Sequence, residues 1–147
     1  MIRVGFVGTG NITRRHFGAL ERLRERAEVV AVCDVVEERA RQAAAPFGAS
    51  VYLSSYEMLS RERLDALYVC LPPDAHVDQE LAAAQKGIHL FVEKPLPLDL
   101  RKAEAIARAI ASAFRGSSGN GFSTKRWTPF CAAASSWSTC ASGGRQT

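Results

Sequence analysis

Five short apolar segments, each followed by a stretch with helical periodicity, constrain the fold of this 147-residue chain more than any other feature. The apolar runs are 2–7, 29–33, 51–53, 66–71 and 88–92. Helices are predicted over 11–26, 36–47, 55–60, 74–86 and 99–114. Continuous apolar strands that alternate with helices are typical of a parallel sheet covered on both faces. Because crossovers between parallel strands are right-handed, the pattern predicts a doubly wound α/β fold.

Residues at the helix ends support this assignment. Ser54 and Glu57 have the spacing of a capping box, in which the hydroxyl accepts from a backbone amide and the glutamate reaches back. Asp74 and Asp99 are predicted N-caps of the last two helices. Gly87 stands where the helix over 74–86 should stop.

The end of the sequence differs in composition from the rest. Residues 116–147 contain 7 Ser, 5 Gly and 4 Thr but no Leu, Ile, Val, Met or Tyr. A segment without branched aliphatic residues cannot build a core of its own. We therefore predict a folded domain over 1–114 and an irregular or aberrant tail over 115–147. The tail is interpreted either as out-of-frame sequence joined after about Phe114 or as a natural flexible segment.

Charge and hydropathy exclude several classes of partner. Residues 1–115 carry 16 Lys or Arg and 15 Asp or Glu, so most of the formal charge of +4 comes from the tail. The basic balance is therefore a poor argument for nucleic acid, and none is expected as a partner. No apolar run reaches the roughly 18 residues of a membrane span, and the N-terminal run is too short for a signal peptide. We expect a cytoplasmic protein without membrane association.

The four cysteines do not have the spacing of a metal site. Cys33 and Cys70 end apolar runs, whereas Cys131 and Cys140 lie in the tail, and no C-x-x-C occurs. The first two are predicted to be reduced thiols in the core, and no metal is expected.

The turn after the first strand has the pattern of a phosphate-binding loop. Gly8, Thr9, Gly10, Asn11 and Ile12 stand between that strand and the first helix. The first glycine permits a tight turn, and the second allows a pyrophosphate to approach backbone amides at the helix N-terminus. The third position of the motif, usually Gly or Ala, is the bulkier Thr13, which weakens the match. A Gly-rich turn without a ligand is the plain alternative.

An acidic residue follows at the expected distance. Asp34 ends the second apolar run, 21 residues after Thr13, where a carboxylate accepts from the adenosine ribose hydroxyls. Such a carboxylate repels a 2′-phosphate, so NAD is the favoured cofactor. Arg39 and Arg41 follow closely enough to leave NADP open. Asp34 is alternatively, or also, an N-cap of the second helix.

Two further segments end at the same predicted edge of the sheet. Leu71 and Pro72 follow the fourth strand, and His76 is placed in the first turn of the next helix, as candidate contacts to a cofactor. A structural role for the histidine is the alternative.

Glu93, Lys94 and Pro95 follow the fifth strand. Lys94 is the candidate catalytic residue, since a lysine there can polarise a substrate oxygen. Glu93 is expected either to bond the nicotinamide ribose or to pair with Lys94, and the Lys94–Pro95 bond is a candidate cis peptide. The alternative is an ordinary surface ion pair.

These motifs, in this order, resemble the glucose-fructose oxidoreductase/inositol dehydrogenase (Gfo/Idh/MocA) family. The resemblance covers residues 1–114 and rests on 8–12 with His16, on Asp34, on Gly87-x-His89 and on 93–95. It implies an NAD(P)-dependent oxidoreductase that acts on sugars, polyols or related alcohols. It further implies that Gly8, Gly10, Asn11 and Ile12 hold the pyrophosphate, with Asp34 at the adenosine ribose. Glu93 would lie by the nicotinamide, and Lys94 would be the lysine of the catalytic site.

Two departures from the family qualify this interpretation. Leu71-Pro72-Pro73 stands where the family often has Thr-Pro-Asn, so an asparagine contact to the cofactor is absent. The family also has a second domain that carries the substrate pocket, which the sequence does not contain. The resemblance therefore implies a truncated cofactor-binding domain that binds the dinucleotide without useful turnover. A stand-alone module that senses NAD is the alternative.

Overall fold

The computed structural model describes residues 1–116, so 117–147, which hold nearly all of the predicted tail, lie outside the described residues. The strands are β1 (Ile2–Val7), β2 (Ala27–Cys33), β3 (Ser50–Tyr52), β4 (Ala66–Val69) and β5 (His89–Val92). The helices are α1 (Thr13–Glu21), α2 (Glu37–Ala44), α3 (Ser55–Arg61), α4 (Asp78–Gln85) and α5 (Leu100–Gly116). Short 3-10 turns cover Ala45–Phe47 and Pro73–Ala75.

The five strands form one parallel sheet in the order β3-β2-β1-β4-β5. The predicted doubly wound α/β fold is therefore confirmed. The chain first runs outward from β1 to β3 and then crosses back to β4 on the other side of β1. This reversal makes the carboxyl ends of β1 and β4 the topological switch point, which is where open α/β sheets bind ligands.

Side chains that alternate along the central strands feed two core layers, one on each face of the sheet. One layer contains Phe6 and Val32 together with Leu20 of α1. The other contains Leu67 and Val69, and helices α3 and α4 contribute to it. Burial on both faces explains why the strands are continuous apolar runs rather than alternating ones.

The helix boundaries depart from prediction at both ends of the first helix, which spans Thr13–Glu21 rather than 11–26. Of the capping residues, Asp99 accepts from the amide of Arg101 at 2.9 Å and Ser54 accepts from the amide of Glu57 at 3.4 Å. The prediction that Glu57 reaches back to the start of this helix is wrong, because its carboxylate pairs with Arg61 at 3.1 Å.

The predicted helix over 74–86 is divided, and Asp74 does not cap it. Asp74 lies within the 3-10 turn, and α4 begins only at Asp78. Two residues, His76 and Val77, lie between them, and the φ of 121° at Val77 interrupts the helix. Val77 is the N-cap of α4, and its amide donates to Oε2 of Glu80 at 2.8 Å, which stabilises the start of the helix there.

No helix within residues 1–116 is long and apolar enough to cross a membrane.

Candidate functional site

The predicted site residues gather at the carboxyl ends of four neighbouring strands. Gly8 follows β1, Asp34 follows β2, Leu71 lies just beyond β4, and Glu93 and Lys94 follow β5. Parallel strands place their carboxyl ends along one edge of the sheet, so one edge carries all of these residues. The switch point between β1 and β4, where the direction of the crossovers reverses, lies in the middle of this edge.

Gly8 makes the turn after β1 and is irreplaceable on steric grounds. Its φ is +86°, and a Cβ built on it would lie 2.3 Å from the carbonyl oxygen of Cys70. Only a residue without a side chain fits a left-handed position against a neighbouring backbone. The turn is thus closed against the end of β4 and has a defined shape.

Thr13, which was expected to weaken the motif, supports the turn instead. Its side chain is buried, and its Oγ1 donates to the carbonyl oxygen of Gly8 at 3.0 Å. The larger side chain is accepted because its hydroxyl fills a hydrogen-bonding position that Gly or Ala would leave empty. A buried carbonyl without a partner is unfavourable, so Thr13 is compatible with the turn.

The space beside Gly10 is open. A Cβ built there meets no atom within 4 Å, so the protein itself does not require a glycine at this position. Asn11 is exposed, and Ile12 occupies the N-cap position of α1 without a side-chain capping bond. The amides at a helix N-terminus lack intrahelical partners and favour anions. The opening fits a pyrophosphate.

Asp34 is fixed by three hydrogen bonds from two loops. Its Oδ2 accepts from the amide of Thr9 at 2.8 Å and from the Thr9 hydroxyl at 2.6 Å, and its Oδ1 accepts from the amide of Val36 at 2.9 Å. Burial by itself raises the pKa of this carboxyl, but the bonds from Thr9 and Val36 outweigh it and hold the pKa below the usual range. The carboxylate is therefore ionised and held in one rotamer.

The sequence left open whether Asp34 also caps the second helix, and the structure shows that it does not. The N-cap position of α2 belongs to Val36, without a side-chain capping bond, so Asp34 closes a local turn instead of capping the helix. Of the two nearby arginines, Arg41 pairs with Glu37 at 2.5 Å. Arg39 contributes to the lowered pKa of Asp34.

His76 is buried, contrary to the prediction that it lies in the first turn of the helix beside the cleft. Its Nδ1 is 2.5 Å from Oε1 of Glu80, and its Nε2 is 3.0 Å from the carbonyl oxygen of Leu71. A carbonyl oxygen only accepts, so Nε2 carries a proton. Both ring nitrogens are thus engaged within the protein. Because His76 precedes the start of α4, the i,i+4 spacing of a helix does not account for its contact with Glu80.

Leu71 and Pro72 keep their predicted place at the end of β4. Leu71 is partly buried against the core layer that contains Leu67, and its carbonyl oxygen faces His76. A Cβ on Gly8 would also lie 3.1 Å from the Leu71 side chain, so the two loops are in contact. His76 therefore supports the loop that borders the glycine turn.

Glu93 does not form the expected side-chain pair with Lys94. Its Oε1 is 3.0 Å from Nε2 of His16, and its Oε2 accepts from the backbone amide of Lys94 at 3.1 Å. Lys94 itself is exposed, and its ammonium forms no ion pair within the part of the chain that the structure describes. The Lys94–Pro95 bond is cis, as the sequence suggested.

The cysteines and the other possible metal ligands within residues 1–116 form no further site. Burial and the charge of Asp34 raise the pKa of the Cys33 thiol to about 11, and Cys70 is likewise buried with a raised pKa. Both are free thiols. The segment 1–116 has no cluster of three or more His, Cys, Asp or Glu side chains placed to hold a metal ion.

A parallel sheet with a glycine turn at its switch point and a fixed acid after β2 defines a dinucleotide-binding domain of the Rossmann class. Residues 2–115 match GFO_IDH_MocA, an oxidoreductase family with an NAD-binding Rossmann fold. The chain therefore belongs to the Gfo/Idh/MocA family of oxidoreductases, and the matched residues are its NAD-binding domain.

Individual relatives agree with this assignment. The chain is 34% identical over 108 residues to inositol 2-dehydrogenase 3 of Saccharopolyspora erythraea, which covers 74% of this chain and 32% of the relative. WlbA dehydrogenase of Chromobacterium violaceum, solved with NADH and UDP-GlcNAcA, aligns with a TM-score of 0.71 and 31% identity over 76% of this chain and 32% of that one. WlbA dehydrogenase of Bordetella pertussis, solved with the same ligands, aligns with a TM-score of 0.70 and 35% identity. The alignment covers 76% of this chain and 34% of that one. The chain thus spans about a third of the length of these relatives.

Proposed function

We propose that the domain binds NAD in an extended arrangement across the carboxyl edge of the sheet, with the adenosine by β2 and the nicotinamide by β5. The observation that carries this proposal is the turn from Gly8 to Ile12, shaped by the protein and open at Gly10. A pyrophosphate placed there meets the N-terminus of α1, whose free amides and dipole favour a diphosphate.

Asp34 is proposed to accept from the adenosine ribose hydroxyls and to favour NAD over NADP. The two Thr9 bonds hold the carboxylate toward the glycine turn. Because its pKa is lowered, the group is charged at neutral pH and repels a 2′-phosphate. Arg39 lowers the pKa of Asp34 further and so helps to keep the carboxylate charged.

Lys94 is proposed to act on the substrate, with Glu93 beside the nicotinamide and Leu71 and Pro72 as part of the wall. The bound cofactor supplies hydride transfer. The exposed ammonium of Lys94 can donate to an alcohol or carbonyl oxygen and stabilise negative charge that develops there. The substrate class is a secondary alcohol of a sugar or polyol, as the names of the inositol and UDP-sugar relatives suggest.

A polypeptide of these 147 residues is proposed to bind NAD without useful turnover. Glu93 and His16, the acid and the base at the same edge as Lys94, are bonded to each other at 3.0 Å, and we propose neither of them for proton transfer from the substrate. A module that senses NAD and acts through a partner is the competing function. An exposed lysine beside the proposed nicotinamide position favours the oxidoreductase, since sensing requires no such group.

Calorimetric titration of the 147-residue chain with NAD tests the binding proposal, with NADP as the comparison and Asp34→Ala as the variant. We expect NAD to bind, NADP to bind more weakly, and the variant to lose the preference. No heat with NAD would contradict the proposal. An activity screen over sugars and polyols tests the second part, and rapid NAD reduction by this chain would contradict the proposed lack of turnover.

A further inference from the structure

His16 on α1 contacts Glu93 beyond β5, although 77 positions separate them in the sequence. Nε2 of His16 is 3.0 Å from Oε1 of Glu93, and the two side chains are only 18% and 17% exposed. An ionised carboxylate only accepts, so the imidazole donates its Nε2 proton. This bond connects the helix that follows the glycine turn with the segment that contains Lys94.

A stack of aromatic rings orients the imidazole. Phe6, Tyr68 and Phe91 are partners in register on β1, β4 and β5, with ring centroids 4.7 and 4.6 Å apart. The His16 ring lies over this stack, 5.2 Å from Tyr68 and 5.8 Å from Phe91. Side chains two positions apart on a strand share a face, so Glu93 follows Phe91 on the side that α1 covers. The ring therefore has little freedom to turn away.

The same contact keeps Glu93 apart from the charge of its neighbour. One oxygen of Glu93 faces His16 and the other accepts from the backbone amide of Lys94. Neither oxygen pairs with the Lys94 ammonium. Adjacent residues of opposite charge at an exposed turn would otherwise be free to form a mutual ion pair.

We propose that His16 is a positioning residue that holds Glu93 toward the nicotinamide side and leaves the Lys94 ammonium free for substrate. The inference rests on the proposed function, because Glu93 matters here only if a dinucleotide extends to β5. His16 acts through Glu93, so its removal should affect the nicotinamide end of the ligand and spare the adenosine end.

Two ligands separate the ends of the site. NADH contains both halves, whereas ADP lacks the nicotinamide and its ribose and tests the adenosine and pyrophosphate contacts alone. The 147-residue chain is titrated with each, as the unaltered sequence and as His16→Phe, which keeps a ring on the aromatic stack but has no donor. We expect about a tenfold weaker affinity for NADH, the size of effect that loss of one hydrogen bond to a charged group usually has, and less than a twofold change for ADP.

A second pair of variants guards against a folding defect. His16→Gln can place an amide donor close to the position of Nε2, and His16→Asn is one methylene shorter and cannot. We expect Gln to retain most of the NADH affinity and Asn to lose it as Phe does. In a Glu93→Ala background, His16→Phe should cause no further loss, because the positioned group is gone.

Several results would overturn the proposal. Equal weakening of both ligands by His16→Phe and His16→Asn would show a general structural role, and unchanged NADH affinity would show no role. An independent loss in the Glu93→Ala background would show that His16 does not act through Glu93. If the unaltered chain binds no NADH at all, the proposed function fails, and this inference with it.

Discussion

The two ends of the candidate site are built in different ways. At the adenosine end, Asp34 has three hydrogen bonds, and Gly8 is packed against the backbone of β4. At the nicotinamide end, Glu93 is held by one imidazole and by the amide of its neighbour, and Lys94 is exposed. Leu98 and Leu100, which follow it, are 98% and 71% exposed.

The first end is preorganised for a ligand, whereas the second end has a side chain that is still available to form new contacts. A group that already has its partners is held in the binding geometry and loses little freedom when a ligand arrives. A group without partners is free to interact with whatever covers it. The adenosine end should therefore supply most of the affinity of this chain, and its residues should be the more sensitive to substitution.

The largest effect is expected from Gly8→Ala. The added Cβ would meet the Cys70 carbonyl oxygen at 2.3 Å, at a φ of +86°, so a neighbouring strand end must move. We expect a loss of about 3 kcal/mol or more in the free energy of unfolding, or no folding at all, by urea denaturation.

Gly10→Ala is the matched control, because its Cβ meets nothing within 4 Å. It should change stability little and yet weaken NAD binding, since the methyl group occupies the proposed pyrophosphate space. Similar losses of stability in Gly8→Ala and Gly10→Ala would contradict the claim that only Gly8 is sterically required by the fold.

Asp34→Asn should produce the next largest effect, and one that depends on pH. The folded pKa of Asp34 lies below the ordinary 3.8, so its contribution to stability is complete above that pH and disappears as pH falls through the folded value. We expect the variant to be less stable by about 2 kcal/mol at pH 7, with the difference shrinking below about pH 3.8. Urea unfolding from pH 7 to pH 3 measures this, and a difference that grows in acid would contradict it.

Thr9→Val removes one bond to Asp34 and keeps the shape of the side chain. The hydroxyl lies 2.6 Å from Oδ2, whereas the backbone amide bond at 2.8 Å remains. We expect a loss of about 1.5 kcal/mol in stability and a weaker preference for NAD over NADP. Thr9→Ser, which retains the hydroxyl, should behave like the unaltered chain in both measurements, and equal behaviour of Ser and Val would refute the role of the bond.

Leu98→Ser at the other end should have the smallest effect. The side chain is 98% exposed, so its removal costs no buried area and should change stability by less than about 0.5 kcal/mol. Thermal unfolding checks this value. A large destabilisation would mean that the nicotinamide end is more tightly built than its exposure indicates.

Local chemistry explains which parts of this molecule are predictable from sequence. The strands, the glycine turn and Asp34 depend on residue types at short spacings, and the fold follows from them through the rules for parallel sheets. Ser54 and Asp99 also act locally, and their capping bonds are present. The start of a helix that has a simple side-chain cap can therefore be predicted from the sequence.

A contact between distant segments, and two local contacts that a simple motif does not describe, were not accessible in the same way. The His16–Glu93 bond joins residues on different elements, so neither neighbourhood in the sequence contains a sign of it. The start of α4 at Asp78 is accompanied by a bond from the amide of Val77 to Glu80, and the effect of Thr13 depends on the carbonyl of Gly8 that faces its hydroxyl. Each outcome was decided by a partner whose position is known only after folding.

The position of β1 between β2 and β4 also sets an order of events during synthesis. The glycine turn is translated before most of the domain, and β2 and Asp34 follow soon after it. The carbonyl of Cys70 that closes the turn, and the glutamate that meets α1, belong to later parts of the chain. A ribosome-bound nascent chain must therefore extend past residue 70 before the glycine turn can close, and past residue 93 before the contact between His16 and Glu93 can form.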